Sequence, residues 1–378
     1  MHCNCAVVRN APQASGSALF RLARYFFRLC VCLVYSSTLH AFCVEVEKMI
    51  SSSSGRPSTL YGTLALLLLL EPAASLQLPP RDAGTRSQKP LLVASRHMPL
   101  SMIAAPPLAA SAAIIGAANG LGFGISLATG WHYHLDLIGT GCFAISALAI
   151  SGSAPVQRLS AAAVGVWASK LAGFLFYRVL QTKHDARLTD VLATSTGAFG
   201  FWFISFAWGW FVSLPHTLAA GVEKAPPLGA CSALGLGMFV VGLVIETLAD
   251  VQKWRFKQNP ATARAFCDAG VWKLCQHPNW FGNLLLWSGI ALLNAPTLLA
   301  PSPAGVGWLR RCLRLGAASL SPLFMLGLFN AQATGAMGNA VELAAKRYGA
   351  DPRYQAYLDS TPLLFPTIAS LRRALTRR

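Results

Sequence analysis

Four ionisable residues follow one face of an apolar stretch of the chain. They are Glu246, Asp250, Lys253 and Lys257, spaced by four, three and four residues. At about 100° per residue in an α-helix, they fall within a stripe roughly 60° wide. Two cations at the mouth of such a stripe suit a phosphate, and two deeper acids suit a hydroxyl, an amide or a proton. The alternative is a ladder of ion pairs at a helix end. Glu246 lies well inside the apolar run, which favours the functional interpretation.

A second polar run combines a histidine, two amides and aromatic rings. A proline follows His277 and suits the first position of a helix, so a helix should begin here, with an amino terminus that can bind an anion. Asn279 and Asn283 are four residues apart and face the same way, and Gly282 lets a backbone or a ligand approach closely. The neighbouring aromatic rings would flank a planar ligand. The alternative is an aromatic anchor at the membrane interface with a capping histidine.

A third run is basic and rich in tyrosine, and it follows the last apolar segment. It contains Lys346, Arg347, Arg353, Tyr354 and Tyr357. Such a segment would close over a cofactor. By itself it also fits an amphipathic helix on the membrane surface, whose long cationic side chains reach the headgroups.

The composition of the 378 residues identifies the element that must position these side chains. Hydrophobic residues make up 54% and charged residues 12%, with a mean hydropathy of +0.48. A soluble domain usually carries about twice that charge. A soluble enzyme, a coiled coil, collagen and disorder are therefore excluded. We predict an all-α polytopic membrane bundle of about seven transmembrane helices at 102–129, 134–152, 158–180, 194–220, 228–250, 279–299 and 315–337.

Loop charge predicts how this bundle is oriented. The loops 178–190 and 251–276 and the tail after 338 carry fifteen of the twenty-one Lys and Arg beyond residue 100, so this side should be cytoplasmic or stromal. Arg310, Arg311 and Arg314 lie on the opposite side. Lys170 is in the middle of a span, and we expect its side chain to extend to the nearer membrane surface. In the first span, glycines 116, 120 and 124 predict a close-packed helix face.

The first hundred residues have the composition of a targeting region. Residues 60–70 form a short apolar core followed by small residues, as in a secretory signal, and residues 81–97 are basic and hydroxylated, as in a transit peptide. The alternative is that Met49 is the true start. We therefore divide the chain into a targeting region at 1–100, a membrane domain at 101–368 and a basic tail at 369–378. The expected location is a plastid or endoplasmic reticulum membrane.

Several functions are disfavoured by what the sequence lacks. The net charge is +17, but the basic residues lie beside apolar runs and are not interleaved with aromatic residues. Nucleic-acid binding is therefore not expected. His132 and His134 have no third ligand nearby in sequence, so we expect no metal site. A strand–GxGxxG–helix unit and a Walker A motif are both absent from the sequence. Nothing in the sequence indicates an oligomeric state.

Several of these residue runs together resemble a known family. The run from Glu246 to Lys257, followed by Gly270-Val-Trp-Lys-Leu-Cys-Gln-His-Pro-Asn-Trp-Phe-Gly-Asn, is similar to the membrane family DUF1295. That family is related to steroid 5-alpha-reductases and sterol reductases, and more remotely to isoprenylcysteine carboxyl methyltransferases. The segments 136–139, 175–187, 208–215, 321–324 and 354–366 agree, so the resemblance covers roughly residues 101–368.

The resemblance implies a seven-helix, steroid-reductase-like oxidoreductase that uses NADPH without a Rossmann domain. Hydride would add to a C=C bond of a lipophilic steroid-like or isoprenoid-like substrate, a role in lipid metabolism. A buried acid or tyrosine would supply the proton. The family's own catalytic pair has no aligned counterpart here, and our candidates for the catalytic residues are Glu246, Asp136 and Tyr133. The implied cofactor contacts are Asp250, Lys253, Lys257, His277, Asn279, Gly282, Asn283, Tyr354 and Tyr357.

One position departs from the family pattern. The family usually has a tyrosine and a glutamate where this chain has Trp280 and Asn283. An asparagine can bond a carboxamide but cannot donate a proton as a carboxylic acid does. Two alternatives therefore remain open: a methyltransferase of the same fold that uses S-adenosylmethionine, and a non-catalytic membrane protein. The two lysines favour a polyphosphate ligand over a sulfonium.

Overall fold

The computed structural model of the protein describes residues 106–183, 189–301, 307–337 and 340–376. The predicted targeting region therefore lies outside the described residues. Within them the backbone forms helices and loops and no strand, so the predicted all-α fold is confirmed.

Seven apolar segments correspond to the seven predicted spans. They are α1 (Pro107–Thr129), α2 (Leu135–Ala149), α3 (Pro155–Thr182), the pair α5 (Ser195–Val212) and α6 (Leu214–Ala220), α7 (Ala230–Gln258), α8 (Pro278–Leu298) and α9 (Trp308–Ala333), with a single turn, α4 (Thr189–Leu192), before α5. By length and composition, α1, α3, α7, α8 and α9 can each cross a membrane, and α5 with α6 forms a sixth, bent span. The 15 residues of α2 extend about 22 Å, less than the roughly 30 Å of a hydrocarbon core.

The bend between α5 and α6 measures 54° and has a local cause. Pro215 has no backbone N–H, so it cannot continue the hydrogen-bond ladder of α5. The hydroxyl of Ser213 donates instead to the carbonyl oxygens of Gly209 and Trp210, at 2.8 and 3.0 Å. The bend therefore directs α6 and its buried His216 back into the bundle.

Helices α7 and α8 approach each other most closely at glycines. A Cβ atom on Gly282 would lie 2.6 Å from the backbone nitrogen of Glu246 and 2.7 Å from the carbonyl oxygen of Gly242. One heptad further along, a Cβ on Gly289 would lie 2.6 Å from the carbonyl oxygen of Gly235. These positions tolerate no side chain because the two backbones are in contact there.

The glycine face predicted for α1 is wrong. A Cβ on Gly120 or Gly124 would meet no atom within 4 Å, and one on Gly116 would make an ordinary contact with Phe206. The close approach is at Gly122, where the Trp202 ring fills the space that a side chain would need. The buried face of α1 follows a spacing of three and four residues through Asn119, Gly122 and Ser126, and a strict four-residue repeat drifts away from it.

The basic loops meet on one side of the bundle. We call this the basic side: the side where α3, α7 and α9 end and α8 begins. The Tyr133 hydroxyl before α2 donates to the carbonyl of Lys183 after α3, at 2.8 Å. The side-chain amide of Gln276, just before α8, donates to the carbonyl of Thr361, at 2.8 Å. The C-terminal segment therefore packs over the loop between α7 and α8. It contains α10 (Ala340–Tyr348), α11 (Pro352–Ser360) and α12 (Ile368–Thr376), so the described part of the predicted basic tail is helical.

Two of the arginines on the opposite side have a structural role. Arg311 donates to the carbonyl oxygen of Leu299, and Arg314 donates to that of Ala300, both at 3.3 Å. These carbonyls follow the C-terminus of α8, where the helix dipole favours positive charge. Helix capping therefore explains why these two arginines lie on the side of the bundle that carries fewer basic residues.

Candidate functional site

The structure places Glu246 at the centre of a buried cluster. Its Oε2 lies 2.6 Å from the ammonium of Lys170, and its Oε1 accepts hydrogen bonds from the Trp167 indole at 3.2 Å and from the Asn283 amide at 2.7 Å. We call these four residues the charged cluster. The side chain of Glu246 is 2% exposed and that of Lys170 is 24% exposed.

The sequence predicted that the side chain of Lys170 extends to the membrane surface, and this prediction is wrong. The ammonium lies inside the bundle, 2.6 Å from the Glu246 carboxylate. An ammonium within the bundle gains more from a carboxylate at hydrogen-bond distance than from a stretched route to water. The pair joins α3 to α7.

Three helices pack side by side and bring the cluster together. Trp167 and Lys170 are three residues apart and share one face of α3. Helix α7 runs in the same direction as α3, while α8 begins at the basic side and runs back. Gly282 allows α8 to lie directly against Glu246, which brings the neighbouring Asn283 to the carboxylate.

Aromatic rings form the inner wall of the cluster. Phe143 packs against Trp167, Trp208 and Trp287 with ring centroids 5.2, 4.9 and 5.7 Å away. Trp167 and Trp287 meet edge to face at 5.0 Å. We call these four rings the aromatic wall. It excludes water from one side of the Glu246–Lys170 pair.

Two buried polar atoms beside the cluster have no hydrogen-bond partner among the described residues. They are Oδ1 of Asn283 and Nε1 of Trp287. The amide orientation of Asn283 is set by its contact with Glu246, since a carboxylate needs a donor and only the NH₂ group donates. Asn283 therefore presents an unused acceptor inside the bundle, and a buried acceptor without a partner is costly.

Further charges lie between the cluster and the basic side of the bundle. Asp250 is half-buried one turn beyond Glu246, and Lys170, Arg178 and Lys253 all act on it electrostatically. Lys253 is exposed, with its ammonium 4.5 Å from the centre of the Trp272 ring. The stripe predicted on α7 is thus shared with α3, which supplies Lys170 and Arg178.

His277 stands at the start of α8, as predicted, and stacks on Trp280 with centroids 4.1 Å apart. Burial, and secondarily the charge of Lys253, lowers the pKa of His277 to about 4. The ring is therefore neutral at pH 7 and adds no positive charge. Asn279 is half-buried on the first turn of α8, one turn before Asn283.

Lys257 is held by the protein itself. Its ammonium donates to the carbonyl of Ala263 at 3.2 Å, to the carbonyl of Ala265 and to the hydroxyl of Tyr348 at 2.6 Å. An ammonium has three donors. A phosphate would therefore have to replace one of these contacts, and the exposed Lys253 is better placed to meet it.

Tyr354 and Tyr357 lie in the segment that covers the loop between α7 and α8. Both rings pack on Phe266, with centroids 5.2 and 5.5 Å away. The Tyr357 hydroxyl donates to the carbonyl of Trp272 at 2.9 Å, and burial raises its pKa. Both tyrosines thus hold the segment down, and their predicted contact with a cofactor stays a prediction.

The two early candidates lie at the corner between α1 and α2. Tyr133 bonds to Lys183, which is 13 residues beyond Lys170, or about 20 Å along α3. Tyr133 is thus too far along the bundle to share a site with Glu246. Asp136 is half-buried in the first turn of α2. His132 and His134 bond to Ser126 and to the carbonyl of Gly122, and the described residues contain no group of three metal-ligating side chains.

Sequence reasoning missed Lys170, Trp167, Arg178 and Trp287. The signal for Lys170 was present, because a cation in the middle of a span is expensive and usually has a partner. Nothing local identified the partner. Glu246 is 76 residues away, and only the packing of α3 on α7 joins them.

The helices and the charged cluster thus define a polytopic membrane protein with a buried ion pair between three of its helices. The family described as "Protein of unknown function (DUF1295)" matches residues 122–361, and the chain belongs to this family. No curated protein and no solved structure matches the chain.

Proposed function

We propose that this protein is a membrane-embedded oxidoreductase that uses NADPH to reduce a C=C bond of a lipophilic, steroid-like or isoprenoid-like substrate. The observation that carries the proposal is the order of groups along α3, α7 and α8. The exposed Lys253 and the half-buried Arg178 lie at the basic side, Asp250 lies deeper, and the Lys170–Glu246 pair lies deepest, against the aromatic wall. A water-soluble polyanion would bind at the basic end of this series, and a lipophilic molecule would reach the deep end from the bilayer.

The residues present fit the nicotinamide end of this cofactor. Oδ1 of Asn283 is a buried acceptor without a partner among the described residues, and a carboxamide N–H would satisfy it. Lys253 and Arg178 would hold phosphates nearer the basic side. When bound, NADPH would supply the hydride, and the chain would orient it and exclude water.

The two charges of the cluster differ in their surroundings. Three donors face the carboxylate of Glu246, which accepts a hydrogen bond from each of them. Glu246 therefore serves better as a counter-ion than as the predicted proton donor. The Lys170 ammonium is the more accessible of the two, and it can hold the proton that reduction consumes.

One observation favours a non-catalytic protein of the same fold. The polar groups of Lys257 and Tyr357 form hydrogen bonds within the protein that hold loops together, as those of purely structural residues do. In that case the charged cluster would be a packing element and would bind no nucleotide.

Ligand titration of the purified chain in detergent separates these possibilities. NADPH and S-adenosylmethionine are titrated in parallel while the unfolding temperature is recorded, since a ligand that binds only the folded state raises it. We expect a saturable shift with NADPH that weakens in Lys253→Ala. The matched control is Arg255→Ala, an exposed cation on another face of α7. A shift with S-adenosylmethionine alone would indicate a methyltransferase. A folded sample that responds to neither ligand would contradict the proposal.

A further inference from the structure

The C-terminal helix has an exposed sector that is apolar and basic. Ile368 and Leu371 of α12 are 71% and 45% exposed, and Arg372 is exposed beside them. At about 100° per residue, these three side chains fall within a sector of roughly 100°. Ser370 is fully buried on the opposite side of the helix. A short helix with such a mixed sector is typical of a segment lying in a membrane interface.

The position of this sector matches the edge of the bilayer. Phe365, which precedes α12, is 52% exposed, and its ring meets that of Phe281 edge to face with centroids 6.2 Å apart. Phe281 lies in the first turn of α8, where a membrane-spanning helix begins. Phe365 thus lies at the level where α8 begins, and α12 starts three residues after it.

The protein holds α12 in place from its other side. The guanidinium of Arg373 donates to the carbonyl of Ser360. The helix also packs on the turn Gly270–Lys273, which contains Trp272. Within the helix, the Ser370 hydroxyl accepts a hydrogen bond from the backbone N–H of Thr367 at 3.0 Å and so caps its first turn. The exposed sector is therefore presented in a fixed direction.

Charge indicates which molecules cover the sector. The loop 251–276 and the segment 340–376 carry ten Lys and Arg against four Asp and Glu. A positive surface at the membrane edge attracts anionic headgroups, and apolar side chains among the cations bury themselves between the acyl chains.

We propose that α12 lies in the membrane interface on the basic side and binds anionic phospholipid. Ile368 and Leu371 enter the acyl boundary, and Arg372 meets a headgroup phosphate. This contact fastens the C-terminal segment over the loop between α7 and α8. It does not depend on whether the chain binds NADPH.

Hydrogen exchange on the full-length chain in lipid vesicles tests this proposal. The chain is reconstituted in phosphatidylcholine with and without phosphatidylglycerol, and backbone exchange is followed over residues 368–376. One arginine near an anionic surface corresponds to about a five-fold change in a binding equilibrium. We therefore expect exchange about five-fold slower with phosphatidylglycerol, a difference that Arg372→Gln removes.

Two further variants separate the apolar contact from the ionic one. The double variant Ile368→Ser with Leu371→Ser should speed exchange in both kinds of vesicle. Ala369→Ser, an exposed position outside the sector, should leave exchange as in the wild type. Unchanged exchange in α7 and α8 verifies that each variant is folded. Equal wild-type exchange in the two vesicles would overturn the proposal. Protection that follows protein density rather than phosphatidylglycerol would overturn it in favour of a second copy of the chain.

Discussion

Two of the buried polar regions among the described residues differ in charge. The charged cluster joins α3, α7 and α8 near the basic side. Further toward the opposite side, a network of uncharged groups joins α2, α3, α6 and α8. In this neutral network, Ser160 Oγ lies 3.0 Å from His216 Nδ1, and Asn294 donates to Ser160 at 2.8 Å. His216 Nε2 lies 3.1 Å from the carbonyl oxygen of Ala147. A carbonyl can only accept, so Nε2 carries the hydrogen and Ser160 donates to Nδ1.

The difference between these regions supports the choice of the charged cluster as the proposed site. Hydrogen bonds between neutral groups stabilise helix packing at modest desolvation cost. A buried ion pair costs much more to desolvate, and an apolar pair of similar volume is often as stable. His216 and Ser160 are almost completely buried, whereas the ammonium of Lys170 is partly exposed. We interpret the neutral network as structural and the charged cluster as the site of chemistry.

The largest effect should come from removing one charge of the cluster. Lys170→Met leaves the Glu246 carboxylate buried without its counter-ion, which costs about 3–5 kcal/mol of unfolding free energy. Adding Glu246→Gln should restore most of this loss, because the remaining groups are neutral. Denaturant unfolding in detergent micelles measures both variants. A single variant as stable as the wild type would show that the ion pair is not formed.

Glycine substitutions should destabilise both regions but affect ligand binding in one. Gly282→Ala near the charged cluster and Gly289→Ala one heptad further in should each cost roughly 1–3 kcal/mol, because the new Cβ meets the backbone of α7. Gly237→Ala, where a Cβ meets no atom within 4 Å, is the control. Only Gly282→Ala should also weaken NADPH binding. Equal loss of affinity in both variants would indicate a general packing effect.

His277 should make the region of the charged cluster sensitive to acid. Its folded-state pKa of about 4 lies below the usual 6.5, so the unfolded chain binds the extra proton between these values. The neutral ring of His277 therefore contributes to the free energy of unfolding, and this contribution is fully present above pH 6.5 and is lost as the pH falls toward 4. His277→Gln should equal the wild type at pH 7 and lose about 1–2 kcal/mol less stability on acidification to pH 5. Parallel pH–stability curves of the two proteins would refute this.

The smallest effect on the proposed site is expected from the neutral network. Ser160→Ala removes the donor to His216 and the acceptor of one Asn294 hydrogen bond, while Asn294 keeps its bond to the carbonyl of Ile290 at 2.9 Å. We expect a loss of about 1–2 kcal/mol in unfolding free energy, since two neutral hydrogen bonds are removed. NADPH affinity should not change. A marked fall in affinity would place the neutral network within the functional site.

The sequence predicted the helices well because their signals are local. Hydropathy and length identify a membrane span from about twenty consecutive residues, and a proline after His277 correctly indicated where α8 begins. The stripe of Glu246, Asp250 and Lys253 was equally visible, since three or four residues along one helix determine which side chains share a face.

Contacts between helices could not be predicted from the sequence. The α1 glycines suggested a packing face on spacing alone, yet Gly122 packs against Trp202, and the tight seam lies between α7 and α8. The place of Lys170 was likewise mispredicted, because the choice between membrane surface and buried partner depends on what α7 presents to α3.

By itself, the sequence therefore determined an all-helical membrane bundle, its basic side and the polar stripe on α7. Each follows from the free energy of placing residues in lipid or water, which depends on the residue and its near neighbours in sequence. Only the tertiary structure decided that Glu246 is a counter-ion, that Asn283 leaves an acceptor unused and that Lys257 fastens a loop. These outcomes depend on distances between groups many residues apart, and hydrogen bonds and ion pairs act only over a few ångströms.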